Sequence, residues 1–146
     1  MRGALELHTG AWTGAYSRTY TTREDGGTLG DILPQYPMGG WPVQHFAGLR
    51  AGAAFRVNIG FYNGLDYPVV HRLLVFGAGG EEVSRREITL AARQSLQAPL
   101  ADLLGSLPDG LYGLTVLPID AADRPGRSWA YVSIIDNATG DPTNLW

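Results

Sequence analysis

The sequence predicts an all-β protein, an antiparallel β-sandwich of about seven to nine strands with one short helical turn. Two observations lead to this prediction. Short segments rich in Val, Ile, Leu, Tyr and Phe recur at intervals of roughly ten residues, as strands do in sandwiches. The connections between them hold many of the 20 glycines and 9 prolines of this 146-residue chain, and these residues favour turns.

The clearest strand covers residues 56–62. Val57, Ile59 and Phe61 fall on one face, and the alternate positions are polar, small or amphipathic. This period of two is typical of a half-buried strand. Turn residues follow, and they end at Pro68, which has no backbone N–H for a ladder.

Two further strands follow this turn. Residues 69–76 are mostly apolar, whereas residues 82–90 carry charged side chains near the middle. Between them, the glycines of residues 77–80 suit a tight hairpin. We therefore predict three antiparallel strands in sequence over residues 56–90.

The second half of the chain alternates between strand signals and turn signals. Four elements are predicted there: a short strand at 95–100, a helical turn at 101–105 that ends at Gly105, and strands at 111–119 and 128–136. Residues 120–127 read as a polar loop, and residues 137–146 as a tail.

The two ends of the chain share a similar sequence pattern, which we call the echo. Residues 3–7 and 15–20 read as a strand, a connection and a second strand that begins with Ala-Tyr, and residues 110–114 and 130–135 repeat this order. Internal repetition bears directly on the fold prediction. If both pairs are hairpins, the chain begins with the closing hairpin of one module.

The echo predicts three regions. Residues 1–22 form an N-terminal hairpin that echoes the end of a preceding module, residues 23–49 form a Pro/Gly-rich linker, and residues 50–146 form the β-sandwich module. Within the linker, Asp25-Gly26-Gly27 is a hairpin-turn signal between residues 18–22 and 28–33. The first residues show no leader pattern, so we expect an exported form to carry one upstream.

Composition excludes several kinds of chemistry. The chain has no cysteine and no lysine, since all 11 basic residues are arginine. Disulfides, thiolate metal sites, Schiff bases and P-loops are therefore excluded. A net charge of -3 provides no basic surface for nucleic acid, and no apolar run reaches the roughly 20 residues of a membrane span.

One family resemblance rests on residues 53 to 146. Its motifs are FRVNIG at 55–60, the glycine-rich 77–80 turn and the ending DNATGDP at 136–142. This stretch resembles the immunoglobulin-like modules of the CARDB type in large secreted proteins of GC-rich bacteria. The resemblance implies an immunoglobulin-like sandwich and an extracellular, non-catalytic, tandemly arranged module. It implies no catalytic residue.

Carboxylates form one candidate site, for a hard cation. Asp120 and Asp123 share a loop, and Asp136 and Asp141 share the tail. Ca²⁺ binds six to eight oxygens, and sandwich loops supply such ligands. The other interpretation is that these side chains make Asx-turns. We favour this second interpretation and predict no obligatory cofactor.

Aromatic residues form a second candidate site. The tryptophans Trp12, Trp41, Trp129 and Trp146 are candidates for contact with a ligand or partner. Exposed indole rings could stack on sugars, whereas inward-facing rings would belong to the core. We favour the core for Trp129 and packing within the linker for Trp12 and Trp41, whereas an unburied Trp146 would be a candidate for contact with another chain.

No residue pattern indicates catalysis. The histidines His8, His45 and His71 stand in unrelated contexts, without the spacing of a zinc site. Ser133 lies inside a strand and not on a nucleophile elbow. His71 alternates with apolar residues, so we predict that it is a hydrogen-bonded core or edge residue. The chain is therefore predicted not to be an enzyme.

These observations lead to two functional hypotheses. The first is an extracellular structural or adhesion module that spaces or assembles a larger protein by strand complementation with neighbouring modules or other copies. The alternative is a carbohydrate-binding module of a secreted hydrolase that uses exposed Trp and Tyr. Proteins or glycans are then the expected partners, and nucleic acid and membrane spans are not expected.

Overall fold

The sandwich predicted from the sequence is present, with eight antiparallel strands in two sheets and one short helix. The structure is a computed structural model, and it describes residues 16–22, 24, 26, 28–34, 42–119 and 128–145. A two-stranded hairpin precedes the sandwich. The elements in chain order are β1 Tyr16–Thr22, β2 Thr28–Pro34, β3 Gln44–Ala51, β4 Phe55–Tyr62, β5 Val69–Phe76, β6 Glu82–Leu90, β7 Ser95–Pro99, α1 Leu100–Leu104, β8 Gly110–Ile119, β9 Trp129–Asp136 and β10 Pro142–Leu145.

The eight sandwich strands divide equally between two sheets. Sheet I has the order β10-β9-β4-β7, and sheet II has the order β3-β8-β5-β6. The predicted β5–β6 hairpin is confirmed, because Val69 pairs with Leu90 and the register continues to the glycine-rich turn. The prediction that β4 pairs with β5 is wrong, because these strands lie in different sheets. Alternation determines which side chains point inward, but it does not determine the neighbouring strand.

The core lies between the sheets and is built from alternate positions. On β5 the inward residues Val69, His71, Leu73 and Val75 are all buried, as the period of two predicts. Ile59 and Phe61 meet them from β4. The remaining members of the buried apolar cluster come from most of the other strands and from α1 (Phe46, Leu49, Leu90, Leu100, Leu114, Val116, Ala130, Val132 and Ile134).

The buried side chain of Asn63 helps to hold the connection from β4 in sheet I to β5 in sheet II. Asn63 donates from Nδ2 to the carbonyl oxygens of Tyr67 at 2.8 Å and Ala91 at 2.9 Å, and its Oδ1 accepts the N–H of Leu65 at 3.0 Å. The adjacent Arg93–Asp66 ion pair, at 2.8 Å, lies at the surface. Asn63 therefore ties the 63–68 turn to the loop that follows β6.

The described residues near the N-terminus form a hairpin of β1 and β2, which is not the pairing of residues 3–7 with 15–20 that the echo predicts. β1 pairs with β2 from Tyr16↔Pro34 to Thr22↔Thr28, around a turn in which Gly26 has φ +79°. The predicted pairing of residues 18–22 with residues 28–33 is confirmed. At the other end of the chain, β8 and β9 lie in different sheets, so the residues that echo the N-terminus are not a hairpin. Residues 3–7 lie outside the described residues.

Two boundaries also differ from the prediction. Residues 44–49, assigned to the linker, belong to β3, which pairs with β8 from Gln44↔Val116 to Ala51↔Gly110. The tail contains an extra strand, β10, which pairs with β9 from Pro142↔Ile135 to Leu145↔Val132. Proline and asparagine weaken the strand signal of such a short segment. The predicted helical turn is confirmed, and Gly105 ends it with φ +81°.

Candidate functional site

In the part of the chain that the structure describes, the sheets end in four edge strands, and β6 is the one best protected against pairing with another chain. Arg72 and Glu87 pair across β5 and β6 at 2.7 Å, and Arg85 binds Glu82 through two contacts of 2.9 Å. The Arg85 guanidinium lowers the pKa of the Glu82 carboxyl, and Glu82 raises the pKa of Arg85. Arg86 stands at an inward-facing register position opposite Leu73. Charges at such positions oppose edge-to-edge pairing.

Two other edge strands are short and bounded by proline. β7 has five residues and ends at Pro99, where α1 begins, and β10 has four residues and begins at Pro142. Short edge strands with proline offer few free backbone groups for a ladder. Neither strand presents a long template for an incoming chain.

The fourth edge, β3, is longer than these two and carries fewer charges than β6. It has eight residues and no proline, and its side chains at His45 and Ala47 are exposed. Arg50 is its only charged residue. A bulge separates Ala47 from Leu49 in the pairing with β8, and Gly48 takes φ +80° there, a conformation that glycine adopts without steric cost. Among the described residues, β3 is therefore the edge most open to strand addition.

The open side of the sandwich, which we define as the side bounded by β3 and β10, is closed at one end by Gln44. This buried side chain donates from Nε2 to the Ala130 carbonyl at 2.8 Å, and its Oε1 accepts the Ala130 N–H at 2.8 Å. β10 pairs only with residues 132–135 of β9. The amide of Gln44 thus takes the place of a neighbouring strand beside Ala130.

At the other end, the open side widens into a groove of about 460 Å³. We call it the end groove, and it is lined by Gly48, Arg50, Phe55, Ile134, Asp136, Thr139, Asp141, Thr143 and Leu145. Its volume lies within the roughly 300–1,000 Å³ of small-ligand pockets. Apolar side chains of Phe55, Ile134 and Leu145 accompany the carboxylates of Asp136 and Asp141, so the groove has apolar walls and an acidic rim.

Of the two tail carboxylates, that of Asp136 makes the turn that the sequence offered as the alternative to a cation site. Asp136 Oδ1 accepts the N–H groups of Ala138 at 2.7 Å and Thr139 at 3.3 Å, as in an Asx-turn. Within the described ranges, no group of three or more His, Asp or Glu side chains could hold a metal ion. The other two candidates, Asp120 and Asp123, lie outside the described residues.

The aromatic candidates do not form a described surface. Trp129 is only 7% exposed and belongs to the core, which is the interpretation favoured for it above. Trp12, Trp41 and Trp146 lie outside the described residues. The ring of Tyr131 lies over Gly60 on the neighbouring strand, where an added Cβ would overlap it.

His71 is a core residue, in agreement with the prediction. Its side chain is fully buried, its Nε2 shares a hydrogen bond with Ser128 Oγ, and its ring lies 5.2 Å from that of Phe61. Desolvation lowers the pKa of His71 from 6.5 to about 4, and the backbone of Val69 opposes this weakly. Nδ1 has no hydrogen bond of ordinary geometry. The imidazole is therefore neutral at pH 7.

Sequence reasoning missed the roles of Gln44, Asn63 and Ser128. Asn63 carried a signal, because it opens an Asn-Gly turn and Asn side chains commonly bond to nearby backbone. Gln44 and Ser128 carried none, because their partners lie 86 and 57 residues away along the chain.

Comparisons with protein-family models, with curated proteins and with solved structures found no match to this chain. In the part of the chain that the structure describes, none of the helices has the length and apolar character needed to cross a bilayer.

Proposed function

We propose that this chain is a non-catalytic structural module of an extracellular or cell-surface protein, and that it assembles by strand addition between copies or neighbouring modules. The observation that carries the proposal is the placement of the β1–β2 hairpin. It forms a two-stranded sheet of its own, separate from both sheets of the sandwich. An isolated two-stranded hairpin is marginally stable in water, so pairing with a third strand would stabilise it.

The β3 edge supplies the complementary half of this proposal. Strand addition to an open sheet edge takes its affinity from main-chain hydrogen bonds. Among the described residues, sheet II ends at β3 without a further strand. Each copy thus carries both a strand in need of a neighbour and an edge able to pair with one.

We infer that the sandwich is immunoglobulin-like. The pairs β4–β7 and β5–β8 correspond to the pairs B–E and C–F of that fold, and β6 corresponds to an added strand beside C. The outer strands are exchanged: β9 lies beside β4, where strand A would be, and β3 lies beside β8, where strand G would be. The resemblance to secreted modules supports the extracellular location.

Light scattering coupled to gel filtration, from micromolar to millimolar concentration, tests the assembly. We expect the molar mass to rise with concentration. Thr19→Pro should abolish the rise, because proline in the middle of β1 removes a donor and restricts the backbone. The sandwich should keep its melting temperature, since β1 belongs to neither of its sheets.

The matched control is Thr19→Val, which keeps the backbone donor and favours a strand. This variant should assemble like the parent chain. A chain that stays monomeric at the highest concentration would refute the proposed assembly.

A further inference from the structure

We propose that the end groove binds a small zwitterion with an apolar body, which is the chemistry of a free apolar amino acid or of a short apolar peptide. Arg50 holds the carboxylate of this ligand, and the acidic rim formed by Asp136 and Asp141 holds its ammonium group. This inference goes beyond the proposed function, because it depends neither on the hairpin nor on assembly. It is carried by the register of sheet I, the charges that line the groove and its volume.

The floor of the end groove is the last part of the inward face of sheet I. Thr143 pairs with Ile134, and Leu145 follows on the same face two residues later. One step towards the end of β9, Asp136 pairs with Phe55. Residues that pair across strands share a face, so apolar side chains and one carboxylate stand side by side. Such a surface suits a ligand with a cation next to an apolar body.

Arg50 brings a positive charge to this floor from the other sheet. It belongs to β3 of sheet II, and its Cζ lies 5.1 Å from the centroid of the Phe55 ring in sheet I. Among the described side chains, no ion pair joins Arg50 to Asp136 or Asp141, although all three line the groove. The guanidinium stacked on Phe55 therefore keeps its N–H donors for a carboxylate, which it can bind through two parallel hydrogen bonds.

The turn after β9 holds the acidic rim in place and still leaves carboxylate oxygens for a ligand. Asp136 uses Oδ1 to accept the N–H groups of Ala138 and Thr139. Asp141 takes part through its backbone: its N–H donates to Thr139 Oγ1 at 3.1 Å, and its carbonyl accepts the Asp136 N–H at 3.1 Å. The turn thus positions Asp141 without using its carboxylate. An ammonium group, which has three donors and no acceptor, needs such oxygens.

The presence of both signs of charge selects a zwitterion as the ligand. An apolar cation would leave Arg50 without a partner, and an apolar anion would meet the repulsion of the rim. A zwitterion pairs with both, while its apolar part covers Ile134 and Leu145. The groove volume of about 460 Å³ suits a ligand of small-molecule size.

NMR titration of the full chain tests the site, with leucine and leucyl-leucine as probes. We expect saturable shifts at the groove residues Thr139, Thr143 and Leu145. Leucinamide lacks the carboxylate and N-acetylleucine lacks the ammonium group, so each should bind about ten-fold more weakly than leucine, or worse, through loss of hydrogen bonds between charged groups. The probe that binds more tightly identifies the source of the ligand, a free amino acid or a peptide. Absence of saturable shifts with both probes would overturn the proposal.

Matched variants test which side chain meets which charge. Arg50→Gln should bind the tighter probe about ten-fold more weakly and should no longer prefer leucine to leucinamide. Asp141→Asn should lose most of the preference for leucine over N-acetylleucine. Arg56→Gln and Asp102→Asn make the same changes at exposed positions outside the groove and should bind like the parent chain. If Arg50→Gln or Asp141→Asn kept its preference in full, the assigned contacts would be wrong.

Discussion

Gln44 shows how one side chain can replace a missing strand. A primary amide presents one acceptor and donors in the same arrangement as a peptide group, so it can satisfy both the N–H and the C=O of Ala130. Buried backbone groups left without partners would destabilise the fold. The edge of sheet II is thereby joined to β9 of sheet I at a point that β10 does not reach.

Gln44→Glu should lower the free energy of unfolding by about 1–3 kcal/mol at pH 7, because a carboxylate cannot donate to the Ala130 carbonyl and its charge is buried. Urea unfolding followed by tryptophan fluorescence measures the change. Gln97→Glu makes the same substitution at an exposed position of β7 and should stay within about 0.5 kcal/mol of the parent. Equal effects of the two changes would contradict the role assigned to Gln44.

At the scale of the element, the packing of β4 beside β9 depends on a cross-strand pair of one small and one large residue. Gly60 lies opposite Tyr131, whose ring occupies the space that a side chain at position 60 would need. The tyrosine covers the glycine backbone, and the small residue makes room for the ring. This complementarity explains why a glycine is tolerated within a central strand.

Gly60→Ala should therefore destabilise the protein by about 1–3 kcal/mol through overpacking. The matched control is Gly113→Ala in β8, where the nearest atom to a new Cβ is the Phe46 carbonyl oxygen at 3.8 Å. That change should be neutral, or stabilising by up to about 1 kcal/mol. Thermal unfolding compares the two variants. If Gly60→Ala cost no more than Gly113→Ala, the steric account would fail.

For the whole molecule, the buried His71 makes stability depend on pH. Its imidazole lies between the two sheets and is bonded to Ser128, so protonation would place a charge in the core. Between pH 6.5 and about 4 the unfolded chain binds more protons at this residue than the folded chain does. Stability therefore falls as the pH falls through this window.

The loss should approach about 3 kcal/mol by pH 4, from roughly 1.4 kcal/mol for each pKa unit. His71→Gln should remove this slope, whereas His45→Gln, at an exposed histidine, should retain it. Urea unfolding at several pH values measures this dependence of the free energy of unfolding on pH. If the His71→Gln protein kept the same slope, groups other than His71 would be its cause. The Asp66 carboxyl, whose pKa Arg93 lowers, loses its contribution only at still lower pH.

Much of the fold could be predicted, whereas the end groove could not. Residues 56–62, 69–76, 82–90 and 111–119 were recognised as strands because their side-chain alternation or apolar content is a local property. β10 is not predicted, because a segment of four residues that begins with proline has only a weak strand pattern. The end groove joins side chains of β3 to those of β9 and β10, and no pattern along the chain relates these strands.

By itself, the sequence determined the all-β class, most strand positions, the inward faces of the clearest strands and the turns at glycine, proline and asparagine. Only the tertiary structure decided that β4 and β5 part into different sheets, that β8 and β9 do not form a hairpin, and that Gln44 reaches Ala130. The physical reason is that alternation and turn chemistry depend on residues near one another in sequence. Strands pair through backbone N–H and C=O groups, which are the same in every residue and so do not specify a partner. The partner of each strand is therefore determined by how the side chains of the whole core pack.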